Sequence, residues 1–318
     1  MTLSRVLIVG GSGFIGTHVA ARLSARGIRV VVPTRRRERA RHLLPLPTVD
    51  VVQIGLDDPG FGAMFVGCDA VINLVGVLHG SHGNPYGREF AQAHVETPRR
   101  IVEACRRAGV RRVIHVSALG AGGDPAALPS MYLRSKAAGE QVLRDSGLDV
   151  TVLRPSVVFG PEDQFLNLFA KLLRLFPLMP LARADARFQP VFVGDLAEAI
   201  VNALERPVTI GKTYDLAGPE VFTLGELVER VGRWSGHPRP IWALPFTLGQ
   251  IQAGVLGVLP GPLMSTDNFD SMRIDNVASG PISPELGLQG LTPLAAVAPA
   301  WLSRHGSRLA DKQARAHR

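Results

Sequence analysis

Short, continuous runs of apolar and β-branched residues alternate with segments of helical periodicity through the first half of the chain. The runs fall at Val6 to Val9, Val30 to Val32, Val49 to Ile54, Ala70 to Leu74, Val113 to Val116 and Val150 to Leu153. A run without polar interruption reads as a strand buried on both faces, and the crossover helices that parallel strands require supply that cover. The pattern predicts a doubly wound α/β fold around a parallel sheet. Beyond Arg154 the regularity fades and Pro and Gly become frequent, with one further strand-like piece, Thr213 to Leu216, available to the sheet edge. The expectation is one domain over residues 1–165 and a smaller α/β lobe over 166–318, interleaved with the sheet edge and ending in a basic tail, 303–318, expected to fray.

From Pro240 to Thr266 there is no charged residue. Pro245 and Pro260 bracket a stretch that carries Gln250 and Gln252 and is shorter than the ~20 apolar residues a span requires. A packed helix covering the lobe is expected, with an interfacial helix touching a membrane or a partner as the alternative.

The turn after the first run reads GGSGFIG. Glycines at 10, 13 and 16 follow a predicted strand directly and open a helix with Val19 and Leu23 on one face. In that context Gly10 permits the tight turn, Gly13 lets the backbone approach a pyrophosphate, and Gly16 lets the helix pack on the sheet. This is the Rossmann arrangement, with Ser12, Phe14 and Ile15 completing the expected cradle. About 20 residues further on, an NAD site presents a carboxylate to the ribose 2′-hydroxyl. This chain has Thr34, Arg35, Arg36 and Arg37 there, and its nearest carboxylate, Glu38, is flanked by arginines. Guanidiniums pair a 2′-phosphate, so NADP(H) is favoured, with NAD(H) as the alternative.

The formal net charge of +8 resembles a nucleic-acid signal until it is located. The arginine run at 35–41 and the segment after Leu302 carry it between them, without interleaved aromatics. No nucleic-acid partner is expected. Only Cys68 and Cys105 are present, without metal-ligand spacing, so neither a disulfide framework nor a metal site is expected. The first strand begins so near Met1 that a leader peptide is not expected, which makes the expected location cytoplasmic, with the inner face of a membrane as a peripheral site.

Tyr132 and Lys136 stand four apart on a predicted helix within SMYLRSKAAGE, and so share a face. An ammonium beside a phenol stabilises phenolate, lowering the tyrosine pKa from about 10 and letting it pass a proton as hydride moves.

With GGSGFIG, VINLVG, HVSALGA, YLRSK and LRPSVVFGPED in this order, the chain resembles an extended or atypical short-chain dehydrogenase/reductase over nearly its whole length. VINLVGVLHG, LRPSVVFGPEDQFLN and RFQPVFVGDLA are most similar to the group containing the dehydrogenase-like accessory subunit of respiratory complex I and bacterial proteins labelled nucleoside-diphosphate-sugar epimerases. The resemblance implies that Gly10, Gly13 and Gly16 bind pyrophosphate, that Val75, Gly76 and Pro155 border the cofactor, that Tyr132 is the acid/base and that Lys136 holds the nicotinamide ribose. It also implies that the segment from Arg154 to Asn167 borders the substrate and that Arg187 grips a diphosphate.

Two positions depart from the family pattern. The family hydroxyl after the fifth strand is Ser117 here, or else is missing, since Ala118 and Leu119 follow; its loss would remove a donor to a substrate carbonyl. The family Asn in the preceding helix is His94, either a proton relay or a packed side chain. Two readings follow: an NADP(H)-dependent oxidoreductase or epimerase-like enzyme acting on a small molecule, or a cofactor-binding structural or assembly protein of a membrane complex.

Overall fold

The computed structural model describes residues 3–257 and 265–303; most of the basic tail and part of the uncharged stretch lie outside the described residues. The chain forms two compact units, one of Met1–Pro155, Val193–Leu216 and Ser279–Gln289, the other of Ser156–Phe192, Ala217–Ala278 and Gly290–Arg318. Where the sequence pattern suggests one boundary at 165, the chain leaves the first unit after Pro155 and re-enters it twice.

The first unit is a seven-stranded sheet. In chain order its elements are β1 (Arg5–Val9), α1 (Phe14–Ala25), β2 (Arg29–Thr34), β3 (Val49–Gln53), β4 (Ala70–Asn73), α2 (Thr97–Ala108), β5 (Arg112–Val116), α3 (Met131–Arg144), β6 (Asp149–Pro155), α4 (Val193–Glu205) and β7 (Thr213–Leu216). The strands run in the order β7-β6-β5-β4-β1-β2-β3 and pair in parallel throughout. Val6, Leu7 and Ile8 of the central strand are fully buried, as expected of a parallel strand covered on both sides. Burying each such side chain contributes about 1.5–3 kcal/mol.

On one face Ile101 and Cys105 of α2 and Leu143 of α3 pack with Leu7, Val71 and Val113. On α1 and α4, Arg22 donates to the Gly194 carbonyl at 2.7 Å and Arg26 pairs with Glu198 and Glu205. Asp195 lies in the first turn of α4. The strand order reverses between β2 and β4 about β1, which opens a crevice at the carboxyl ends of β1 and β4.

Arg112 opens β5 inside the protein. Its guanidinium donates to the Asp149 and Ala203 carbonyls and to the Thr151 and Thr209 hydroxyls at 2.6–2.9 Å. These neutral acceptors tie the neighbouring strands β5 and β6 to the end of α4 and the turn after it, while burial lowers the arginine pKa to about 10.

The second unit has no large sheet. Helix Phe165–Leu175 and helix Leu224–Trp234 enclose a core that includes Phe159, Phe188, Phe222, Leu227, Trp301 and Leu302. The Asn276 side chain ties this unit together by accepting from Ser156 Oγ at 2.5 Å and Val157 N at 3.0 Å. Helix Phe246–Gly257 begins directly after Pro245, as expected. Among the described residues no helix is long and apolar enough to cross a membrane.

Candidate functional site

The glycine turn meets the end of β4. Gly10 has φ +85°, and a Cβ there would lie 3.1 Å from Leu74 C and Val75 N. A Cβ on Gly16 would lie 2.5 Å from Gly11 Cα and its carbonyl oxygen, so only glycine lets α1 start where it does. Gly13 is the N-cap of α1, extended in conformation, and no side chain caps it. No acidic residue occupies the first turn, which carries Phe14, Ile15 and Gly16. The positive end of α1 thus has no carboxylate in its own first turn. Ser12, Phe14 and Ile15 are half-buried around this turn.

Beside it, β2 ends in buried Thr34, whose hydroxyl donates to the Arg36 carbonyl at 3.2 Å. Arg35, Arg36 and Arg37 are exposed. A Cβ on Gly11 would lie 3.0 Å from Val32 of the same strand, and Thr17 of α1 bonds His42 at 2.8 Å, so the arginine run follows a strand that packs beside the glycine turn. Among the described residues none of these three arginines forms an ion pair.

Lys136 brings the predicted chemistry to the same crevice. Its Nζ donates to the Val116 carbonyl at 3.2 Å, and a Cβ on Gly76 would lie 3.3 Å from that Nζ. The side chain is buried, and burial lowers its pKa to about 8 against the opposing pull of Glu140. Glu140, one turn further along α3, accepts two bonds from Arg154 at 2.7 and 2.8 Å. Tyr132 sits one turn earlier, half-buried, with its ring 5.5 Å from that of His94 and 6.4 Å from that of Phe90. Ser130 starts the helix by accepting from Leu133 N.

Ser117 follows β5 directly, one residue after the carbonyl that anchors Lys136. It is 4% exposed, and its hydroxyl has no hydrogen-bond partner. A buried, unpartnered hydroxyl costs free energy, a feature that singles Ser117 out from Ala118 and Leu119. Pro155 lies at the end of β6, where its carbonyl accepts from Leu119 N.

The Asn position of the family pattern is built differently. Ala91–Glu96 forms a π-helical turn ahead of α2. Pro98, four residues after His94, has no N–H to offer the His94 carbonyl, while Thr97 Oγ1 bonds the Gln92 carbonyl at 2.9 Å. Gly139 of α3 leaves room for the freed carbonyl, since a Cβ there would lie 2.0 Å from His94 O. The imidazole Nε2 accepts from Val77 N at 3.0 Å, and Nδ1 meets Ser135 Oγ at 2.8 Å, whose hydroxyl passes to the Tyr132 carbonyl. Nε2 as acceptor places the proton on Nδ1. Both nitrogens are thus committed within the protein, and burial lowers the pKa to about 2. His94 is a neutral packed residue that fixes the strand of chain beside Gly76; the relay reading has no free nitrogen to use. Of the two sequence readings of His94, the packed one matches this geometry, and Pro98 and Gly139 are the local signals that accompany it.

The expected substrate residues lie in the second unit. Arg187 is exposed and pairs with Asp275 at 3.6 Å. Asn167 donates to the Pro161 and Asp163 carbonyls at 3.1 and 2.8 Å, which closes the loop ahead of its own helix. The structure brings Gly10, Val75, Gly76, Lys136 and His94 together, and pairs Arg187 and Asn167 with residues of the second unit.

The model of the NAD dependent epimerase/dehydratase family matches residues 6–217. The chain is 32% identical over 283 residues to the mitochondrial NADH dehydrogenase (ubiquinone) 1 alpha subcomplex subunit 9 of Arabidopsis thaliana, covering 84% of this chain and 68% of that protein. It is 30% identical over 318 residues to the protein of that name from Mus musculus, covering 94% and 79%. The structure of the Bordetella bronchiseptica enzyme WbmH in complex with NAD+ matches with a TM-score of 0.66 at 24% identity, covering 96% of this chain and all of that one.

Proposed function

This chain belongs to the NAD dependent epimerase/dehydratase family, and on that premise we propose that it binds NADP(H) in preference to NAD(H) and uses Tyr132 and Lys136 as the acid–base pair of an oxidoreductase or nucleoside-diphosphate-sugar epimerase-like reaction. The observation that carries this reading is the Lys136 ammonium, buried one turn from Tyr132 and held against the backbone at Gly76.

The residues fit a dinucleotide. Gly10, Gly13 and Gly16 leave a cradle that side chains would fill, with Ser12, Phe14 and Ile15 around it, Val75 and Gly76 beside it, Pro155 further along the sheet, and Thr34, Arg35 and Arg36 at its rim. The guanidiniums of Arg35 and Arg36 suit a 2′-phosphate. A bound nicotinamide supplies a hydride donor or acceptor.

Tyr132 exchanges the proton at a carbonyl or carbinol oxygen of the substrate. Lys136 keeps its charge below about pH 8 and there stabilises phenolate. Ser117 offers its unpartnered hydroxyl to the same substrate oxygen. Within the second unit, Arg187 is the candidate to grip a phosphate in exchange for Asp275, with Asn167 as a further candidate contact.

The test has two arms. NADPH should bind at least tenfold more tightly than NADH by calorimetry, about 1.4 kcal/mol, and Arg35→Ala with Arg36→Ala should erase the difference. Tyr132→Phe keeps the ring contacts with His94 and Phe90, so it should abolish NADPH-linked turnover while leaving NADPH affinity and Tm unchanged. Surviving turnover would reject the role of Tyr132.

The identity of 30–32% to complex I subunits favours a second reading, a cofactor-holding accessory protein of a membrane complex. Bound cofactor at 100 times its Kd stabilises a fold by about 2.7 kcal/mol without any turnover. Under that reading no substrate reacts, and the double arginine variant weakens assembly together with cofactor binding.

A further inference from the structure

We propose that the second unit docks on the surface of a bilayer containing anionic phospholipid, through an apolar patch flanked by cations. This inference stands whether or not Tyr132 turns over a substrate.

Half of the exposed large apolar side chains among the described residues belong to this one region. Leu175 is 69% exposed, Phe176 52%, Trp242 53%, Phe246 49% and Ile251 62%. The chain brings them together by direct pairing. Strand Met179–Leu181, which follows Leu175 and Phe176, pairs with strand Ile241–Ala243, which carries Trp242. Gln252 of helix Phe246–Gly257 donates to the Pro180 carbonyl at 2.9 Å and accepts from Ala182 N at 3.2 Å. That helix has two different sides: Gly249 and Ala253 are buried, while Phe246, Leu248 and Ile251 are exposed.

Charge selects the occupant. No carboxylate occurs from Phe165 to Arg183 or from Ser235 to Thr266. Exposed cations beside the patch are Lys171, Arg174 and Arg239. Lys171 lies one turn from Leu175 on the same helix face, and Arg239 is anchored beside it by donating to the Leu173 carbonyl at 3.1 Å. Long basic side chains lie over apolar surface with their charges at its edge, and tryptophan favours the headgroup level. The nearest acids in the fold stand on helix Thr266–Ser271, where Asp267 is buried and Asp270 pairs with Arg273, so the surplus charge is cationic and complements anionic headgroups. A protein partner would call for about one hydrogen bond per 100–200 Å², yet the exposed face of the helix offers only Thr247 and Gln250. The helix has 12 residues, a rise of about 18 Å against a hydrocarbon core of ~30 Å, so it lies in the interface and does not cross.

The test uses the full chain and sedimentation with vesicles of phosphatidylcholine alone or mixed with phosphatidylglycerol. Binding should be at least ~10-fold stronger to the mixed vesicles and should weaken with added salt. Trp242→Ala with Ile251→Asp should reduce it ~10-fold, and Lys171→Glu with Arg174→Glu should remove the preference for phosphatidylglycerol. All four positions are exposed, and far-UV circular dichroism checks the fold of each variant. Quenching of tryptophan fluorescence by brominated lipid, present in the native chain and lost in Trp242→Phe, reads the contact independently of the charged variants. Equal binding to both vesicles, or binding that ignores changes in the patch, overturns the proposal. So does a dimer formed without lipid that the patch variants dissociate.

Discussion

The two units hold their polar chemistry in opposite ways. In the first, Lys136, His94 and Ser117 are buried, and Lys136 and His94 are fixed by backbone partners that the sheet itself positions. In the second, Arg187 is exposed and paired with an exposed aspartate, and the exposed surface is mainly apolar where it is most distinctive. A large parallel sheet over-determines the groups at its carboxyl ends. A unit built of two-stranded pairs and helices has no such frame, so its candidate substrate groups rest on bonds within that unit. The difference teaches where pre-organised chemistry is to be sought in this chain, and where recognition by surface is.

Glycine gives the strongest way to break that comparison. In the first unit a Cβ on Gly16 would meet Gly11 backbone atoms at 2.5–2.6 Å, so either α1 or the turn must move. Gly16→Ala is expected to cost about 3 kcal/mol in urea unfolding and to weaken NADPH binding about 100-fold by calorimetry. Unchanged affinity would mean that the glycine turn does not hold the dinucleotide.

Acid should act on the two units with opposite signs. Burial lowers His94 to about 2 and His115 to about 3. The unfolded chain takes up these protons first, near pH 6.5, so the stability of the first unit falls as pH drops below that value. The slope is about 1.4 kcal/mol per pH unit for each histidine. In the second unit burial raises Asp163 to about 6, against the hydrogen bonds it accepts from Gly160, Leu166 and other backbone donors. Its folded form holds the proton more tightly than the unfolded chain, and that contribution grows as pH falls through 6 toward the ordinary carboxylate range. Amide exchange between pH 6.5 and 5, corrected for its intrinsic rate, should therefore show β1, β4 and β5 losing protection before helix Phe165–Leu175. His94→Asn should remove one histidine's share of the slope. Equal loss in both units would show that other carboxylates dominate.

The same contrast explains what could be read from the sequence. The strands of the first unit were legible because continuous apolar runs have few other uses, and the sheet contains every run expected of it, Thr213 to Leu216 included. The glycine turn and the Tyr132–Lys136 pair were legible because their spacing is local. Arg112 was not: a strand reading RVIHV gives no sign that its arginine turns inward, since the acceptors lie on Asp149, Thr151, Ala203 and Thr209. The division of the chain was hidden for the same reason. Asn276 reaches back about 120 residues to Ser156 and Val157, and no periodicity records such a pairing. His94 lay between the two cases, with a local cause in Pro98 and a distant one in Gly139.

The smallest expected effect is the sharpest control, because it repeats the first substitution in the other unit. Gly254 lies within helix Phe246–Gly257, and a Cβ built there meets nothing within 4 Å. Its backbone is helical, so glycine there only adds conformational freedom to the unfolded chain. Gly254→Ala should raise stability by about 0.5–1 kcal/mol, a small upward shift in the urea midpoint with NADPH affinity unchanged. The identical chemical change would then destabilise the unit that holds the glycine turn and stabilise the unit with the apolar surface. If Gly254→Ala proves as costly as Gly16→Ala, the helix is packed more tightly than its exposed face implies, and the contrast between a framed site and an open surface does not hold.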